Sequence, residues 1–253
     1  MLTVVPTPIG NLQDITLRAL ETLRETDLIA AEDTRRSAIL LLHHNIKKPM
    51  ISLHEHNEES RTAELVEEIA GGKSVALITD AGMPGISDPG FRLIRACRER
   101  GLAVGVLPGP SAVITALVGS GLPTNAFYFG GFVPVKSGRR RTELQRAVSR
   151  PETNVYFESP HRLLKTLQVL AEVAPEAHVC VARELTKKFE EYRRGTPAEL
   201  CAHYNGRPPK GEITLVISRV SRASGNGHDA RVAPTRGKDT RPMAGQPKSA
   251  TVD

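Results

Sequence analysis

Short apolar runs alternate, through the first half of the chain, with segments whose apolar residues recur at helical spacing. Leu2-Thr3-Val4-Val5, Leu28-Ile29-Ala30-Ala31, Met50-Ile51-Ser52-Leu53, the run from Val75 to Thr79 and the run from Leu102 to Leu107 read as five buried-type strands. Leu17, Leu20 and Leu23, then Leu65, Val66 and Ile69, then Leu93, Ile94 and Cys97 mark the inward faces of helices between them. That alternation predicts an α/β unit. Residue chemistry sets the expected boundaries. Thr34 and Asn57 cap helices, Asn45 and Gly71-Gly72 end them, and Asp88 with Pro89 opens the helix that carries Leu93.

Gly119-Ser120-Gly121-Leu122-Pro123-Thr124 reads as a hinge, dividing the chain into units 1–120 and 121–220. Beyond it Phe127 to Phe132 is aromatic and β-prone. Asn154 to Glu158, His178 to Ala182 and Ile213 to Ser218 read as strands, with a helix on Leu163, Leu164, Leu167 and Leu170 and a short one capped by Thr196. The second unit is therefore mixed α/β as well. From Ser221 onward Gly, Ser, Pro, Arg and Ala dominate without apolar periodicity, which predicts a disordered tail over 221–253.

The polar loops stand at strand ends. Asp80 to Gly90 (DAGMPGISDPG) lies between a strand and a helix, where open α/β sheets bind ligands, and its glycines let backbone approach a small molecule. The same glycines suit a plain tight turn. Pro6 to Leu12 and Leu107 to Ala112 are further turn-rich loops of this kind. Val133 to Arg141 is proline-bent and basic, either a clamp on a phosphate backbone or the solvated start of a helix. His54 and His56 share a strand face, but no further ligand set stands near them, so no metal is expected.

Composition narrows the classes. The chain has 253 residues, 40% of them hydrophobic, enough for one large domain or two modest ones. No apolar run approaches the roughly 20 residues of a membrane span, and Met1 to Pro6 lacks the pattern of a signal peptide, so a cytoplasmic protein is expected. Cys97, Cys180 and Cys201 are far apart and outside CxxC spacing, which argues for core positions over a disulfide or zinc framework. Net charge is +6, and half of it falls in 221–253, where six Lys or Arg face three Asp. Charge alone therefore identifies no anionic partner.

Seven segments in order carry a resemblance: PTPIGNL (6–12), AEDTR (31–35), DAGMPGISDPG (80–90), LPGPSA (107–112), FESPHR (157–162), ARELTK (182–187) and KGEITLV (210–216). Together, over about residues 1–220, they resemble the bacterial small-subunit ribosomal RNA cytidine-2′-O-methyltransferases of the tetrapyrrole methylase superfamily. The resemblance implies two α/β/α domains with an interdomain cleft holding S-adenosylmethionine. It also implies a homodimer acting on a cytidine ribose in the decoding region of 16S rRNA or the small ribosomal subunit. Carried over to this sequence, Pro8, Asp80, Ala81, Gly82, Pro108, Gly109, Pro110, Ser111, Ala112, Glu212 and Ile213 would line the cofactor pocket. The tail departs from relatives that carry a further small helical domain. The first loop lacks the glycine richness of the tetrapyrrole-modifying branches.

A ribose hydroxyl is a poor nucleophile, so a group that takes its proton would help. Glu32, Asp33, Glu184 and Lys187 stand at strand ends as candidates, and Glu158 is another; for any one of them a structural place is favoured over proton transfer, the carboxylates as ion-pair or cap partners of Arg35, Arg162 or Arg183. Arg35 and the cluster Arg139, Arg140 and Arg141 are the candidates for RNA phosphates. A small-substrate methylase on the same scaffold and a non-catalytic RNA-binding protein are the competing readings. No GxGxxG follows the first strand, which disfavours a dinucleotide enzyme.

Overall fold

A computed structural model describes residues 1–219. The tail expected to be disordered, 221–253, lies outside the described residues. The first sheet holds β1 (Leu2–Val4), β2 (Leu28–Ala31), β3 (Met50–Ser52), β4 (Val75–Ile78) and β5 (Val104–Val106), all parallel, in the order β3-β2-β4-β1-β5. Its strands are apolar on both faces because both are covered. Ala76 and Ile78 of β4 face Leu23 of α1 (Leu17–Glu25) and Leu40 and Leu41 of α2 (Thr34–His43). Val75 and Leu77 face Leu65 and Ile69 of α3 (Glu58–Ala70) and Leu93 and Cys97 of α4 (Phe91–Glu99). Each fully buried leucine of this kind contributes about 1.5–3 kcal/mol of transfer free energy.

The strand order places a ligand crevice. From β1 the chain crosses toward β2 over the α1 face, and from β4 it crosses toward β5 over the α4 face, so adjacent strands send their connections opposite ways. The loops after β1 and β4 meet there. Thr7 and Gly82 exchange backbone hydrogen bonds of 2.9 and 3.0 Å, with Gly82 at φ +81°.

The second sheet contains β6 (Phe127–Phe132), β7 (Thr153–Glu158), β8 (His178–Arg183), β9 (Glu191–Gly195) and β10 (Ile213–Ser218), in the order β6-β7-β10-β8-β9. Only β6 and β7 run parallel. Tyr156, Val181 and Leu215 on one face pack under α6 (Ser137–Ser149), α7 (Leu163–Val173) and α8 (Pro197–Asn205). The other face, with Val155, Cys180 and Val216, receives Val113, Ala116 and Leu117 of α5 (Ala112–Ser120) together with Ile9 from the first loop.

Local expectations changed in several places. α5, assigned by the hinge to unit 1–120, lies against the second sheet, and Gly119 and Ser120 belong to the helix; Gly121 ends it in the left-handed region. Packing thus separates the halves before α5. The polar segment of β9 is an edge strand without an apolar alternation, so its pattern did not announce it. The cap of α2 is Asp33, one residue before Thr34. Asn57 precedes α3 but spends its side chain on His54 N and Ser52 O. Asp88 does not cap α4. That helix starts after Gly90, and Glu58 of α3 accepts from Gly90 N and Arg92 N at 2.9 and 3.2 Å in place of a local cap.

Candidate functional site

A cavity of about 330 Å³ lies between the two sheets. The first half contributes Ile9, residues 81–83 and 86–88 and Ser111; the second contributes Ala112 and Val113 of α5, Phe132, residues 157–160, Leu185 and residues 211–214. Its wall is mainly apolar, with carboxylates from Asp88, Glu158 and Glu212. No Lys, Arg or His side chain among the described residues lines it. Such a lining suits a ligand that is apolar in part and carries positive charge, and is ill-suited to a phosphate. The N-terminus of α5, where Ser111 caps the helix, adds backbone N–H groups suited to a ligand carboxylate.

Of the residues expected on a cofactor wall, Ala81, Gly82, Ser111, Ala112, Glu212 and Ile213 are on it. Pro8, Asp80, Pro108, Gly109 and Pro110 are not among its lining. Pro8 is buried in the first loop. Gly109 closes against Pro6, where an added Cβ would stand 2.8 Å from the proline ring, so the Pro108–Pro110 turn buttresses the first loop from behind. Asp80 turns toward Arg36, 3.0 Å away, with its other oxygen buried and unbonded. Ile9, Met83, Phe132, Phe157, Leu185 and Asp88 complete the wall without a signal along the chain that sets them apart. Apolar residues at strand ends look like core positions, and Asp88 resembles a helix cap.

The candidate acids and bases fall into two clusters. Asp33 accepts from the Arg35 side chain at 3.0 and 3.1 Å and from its backbone N–H, which holds it at about 2. A carboxylate this acidic is a weak proton acceptor. Glu32 accepts from Asp80 N at 3.2 Å; burial, and then the charge of Asp80, push it up despite that hydrogen bond. Asp88 stands in front of both. Burial first, then the charges of Glu32 and Asp80, raise it from 3.8 to about 7.

In the second cluster Lys187 Nζ donates to Glu184 at 2.9 Å and to Glu212 at 2.8 Å. Burial works against the ammonium, but the bonds to Glu212 and Glu184 outweigh it and hold Lys187 above its ordinary value. Burial likewise opposes the Glu184 carboxylate, yet the Glu212 N–H and Lys187 keep it low. A charged ammonium has no lone pair to accept a proton, so this cluster is a latch. The latch grips the first loop: a Cβ on Gly10 would lie 2.5 Å from Lys187 Cγ and 2.9 Å from Leu185 O, and Asn11 N donates to Thr186 Oγ1. Glu158, buried on the cavity wall, is bonded by Arg162 at 2.8 Å, Ser159 N at 2.7 Å and the Thr166 hydroxyl.

The basic residues divide too. Arg139, Arg140 and Arg141 occupy the first turns of α6. Arg140 is 6% exposed and donates to Pro134 O and Val135 O, so it pins the proline-bent loop and is withdrawn from the expected phosphate set. Arg139 is exposed and Arg141 pairs with Glu172. Arg35 is exposed beside Asp33. His54 and His56 stack edge to face at 6.0 Å; among the described residues no group of three or more His, Cys, Asp or Glu is placed to hold a metal.

The two α/β units meet at a cleft that, among the described residues, no Lys, Arg or His lines, and sequence comparison identifies the scaffold as a methylase. The chain belongs to the tetrapyrrole (corrin/porphyrin) methylase family, whose sequence profile matches residues 1–201. It is 48% identical over 217 residues to the ribosomal RNA small subunit methyltransferase I of Thermotoga maritima, covering 86% of this chain and 97% of that one. It is 46% identical over 229 residues to the protein of the same name from Haemophilus influenzae, covering 89% and 81%. A solved uroporphyrin-III C-methyltransferase from Thermus thermophilus, complexed with S-adenosyl homocysteine, shares the fold with a TM-score of 0.60 at 16% identity, covering 86% of this chain and 96% of that one.

Proposed function

We propose that this chain is an S-adenosylmethionine-dependent methyltransferase that modifies the ribose 2′-hydroxyl of a cytidine in the decoding region of 16S rRNA. The observation that carries the reading is the cavity, whose walls are mainly apolar and which, with Glu158 and Glu212 paired to Arg162 and Lys187, offers the carboxyl of Asp88 to a cationic cofactor. The bound cofactor supplies an electrophilic methyl on a positively charged sulfur. The protein holds the acceptor oxygen in line with that methyl and excludes water. The carboxylate-bearing wall offsets the donor's desolvation.

In this reading Glu184 and Lys187 keep the wall closed, and Glu32 and Asp33 shape the floor behind Asp80. Ala81, Gly82, Ser111, Ala112, Glu212 and Ile213 surround the cofactor, and Arg35, Arg139 and Arg141 meet RNA phosphates. A homodimer belongs to the same proposal: Val106 on edge strand β5, with Ile114 and Val118 on α5, is exposed apolar surface that a second copy would cover. So does a cytoplasmic site of action, where a small ribosomal subunit would be met. The test is to incubate the protein with isotope-labelled S-adenosylmethionine and small ribosomal subunits from a strain lacking the modification, then map the label by mass spectrometry. Label on a 2′-oxygen of a decoding-region cytidine is expected; label on a base, or none on RNA, rejects the assignment.

A further inference from the structure

We infer that Asp88 is the catalytic group that receives the proton of the acceptor hydroxyl, and that disappearance of the neighbouring positive charge during transfer drives it to do so. The inference rests on the cavity being the S-adenosylmethionine site.

The wall itself narrows the choice to one carboxyl. Glu158 is saturated by Arg162, Ser159 N and the Thr166 hydroxyl. Glu212 is paired with Lys187, which stays charged. Asp88 lines the same cavity and, among the described residues, forms no ion pair. Its loop is shaped to hold it inward: Ser87 adopts φ +62°, and Gly90 at φ +122° comes so close to Leu77 that a Cβ would lie 2.7 Å from that side chain. Ser87, a non-glycine in the left-handed region, carries a backbone cost of the kind that clusters at functional sites, and Gly90 is needed for the close approach to Leu77.

The groups facing Asp88 are of its own sign. Glu32 and Asp80 approach from the ends of β2 and β4, and Arg36 from α2 is committed to Asp80 at 3.0 Å. Glu58 from α3 is occupied by Gly90 N and Arg92 N, with the Arg92 guanidinium 3.9 Å away. The Thr79 hydroxyl, 2% exposed and without another partner, faces the carboxyl from β4's end. Asp88 therefore titrates near neutrality in the free protein.

A cation in the cavity favours the ionised carboxyl and expels its proton. In the reaction the oxygen–methyl bond forms as the methyl–sulfur bond breaks, and sulfur leaves as a neutral thioether. The hydroxyl proton passes to the Asp88 carboxylate and then to water. With the positive charge gone, Asp88 regains its proton affinity in the step that demands it.

Calorimetric titration of the wild-type chain at pH 7, in buffers of differing protonation enthalpy, tests this directly. Binding of S-adenosylmethionine is expected to release about half a proton per site, from a group titrating near 7. S-adenosylhomocysteine, which differs in having a neutral sulfur, should release almost none. Asp88→Asn should abolish the difference and weaken donor binding at pH 7 by about tenfold, the coupling that release of half a proton requires, while lowering kcat on small ribosomal subunits by about 10²–10⁴-fold and removing the acid limb of the pH profile. Asp88→Glu should restore proton release and part of kcat. Equal proton release with both compounds, or wild-type kcat with an unchanged limb in Asp88→Asn, overturns the inference. If Asp88→Asn does not fold, carbon-13 titration of the wild-type carboxyl decides, and a midpoint near 4 overturns it. Charge-dependent proton release without methylation of small-subunit RNA upholds Asp88 and rejects the RNA assignment instead; a wild-type chain that binds neither compound rejects both.

Discussion

Asp88→Asn makes a second, independent prediction, because a carboxyl held among like charges costs the folded state stability once it ionises. The unfolded chain has the ordinary value of 3.8, and the folded chain holds Asp88 near 7. Below pH 4 the group is neutral in both states and no penalty exists. As pH rises from 3.8 the unfolded chain sheds its proton while the folded chain keeps it, so stability falls with each unit until about pH 7 and stays flat above. At about 1.4 kcal/mol per pH unit the full interval corresponds to about 4 kcal/mol. Asp88 is half-buried and water screens it, so about 1–2 kcal/mol is expected in practice. Removing the charge should then stabilise the chain by about 1–2 kcal/mol at pH 8.5, or about 3–6 °C in Tm, and leave it unchanged near pH 3.5. Urea unfolding followed by circular dichroism across that range reads the effect. A gain of equal size at both ends of the pH range, or a loss at pH 8.5, would refute the reasoning.

Other expectations follow from the same contacts. Gly10→Ala drives a Cβ into Lys187 and the Leu185 carbonyl, so it should cost about 1–3 kcal/mol in urea unfolding and loosen calorimetric S-adenosylmethionine binding at least tenfold. Arg162→Ala leaves Glu158 buried and uncompensated beside the cavity, an expected loss of about 3–5 kcal/mol readable in chemical denaturation. Arg139→Ala should weaken RNA binding and reduce the slope of log affinity against log salt by about 0.7–0.9, whereas Arg140→Ala should lower Tm and leave that slope unchanged. Gly130→Ala drives a Cβ into the ring of fully buried Tyr156, and differential scanning calorimetry should register about 1–3 kcal/mol of destabilisation.

Much of the site could be read along the chain because its parts are loops between strongly patterned elements. The segments around Gly82, Ser111 and Ile213 do meet at one cavity, and glycine and proline mark them in advance. The same signs misled at Pro108 to Pro110, where a proline turn supports a neighbouring loop and leaves the wall to others. Charge was the poorest guide. Arg140 stands between two arginines of identical appearance, yet it points inward to two carbonyls. Asp33, expected as a possible proton acceptor, is a helix cap bonded by Arg35.

Periodicity by itself determined the α/β class, nearly every strand and the inward face of most helices, because those depend on residues within a turn or two of one another. Folding in three dimensions decided that α5 joins the second sheet and that Glu58, from a different helix, caps α4, leaving Asp88 to the cavity. It also decided which carboxylates acquire a cation. An ion pair and a desolvated acid are made by partners tens of residues apart, such as Asp88 with Glu32 or Lys187 with Glu212, and no local pattern encodes those distances.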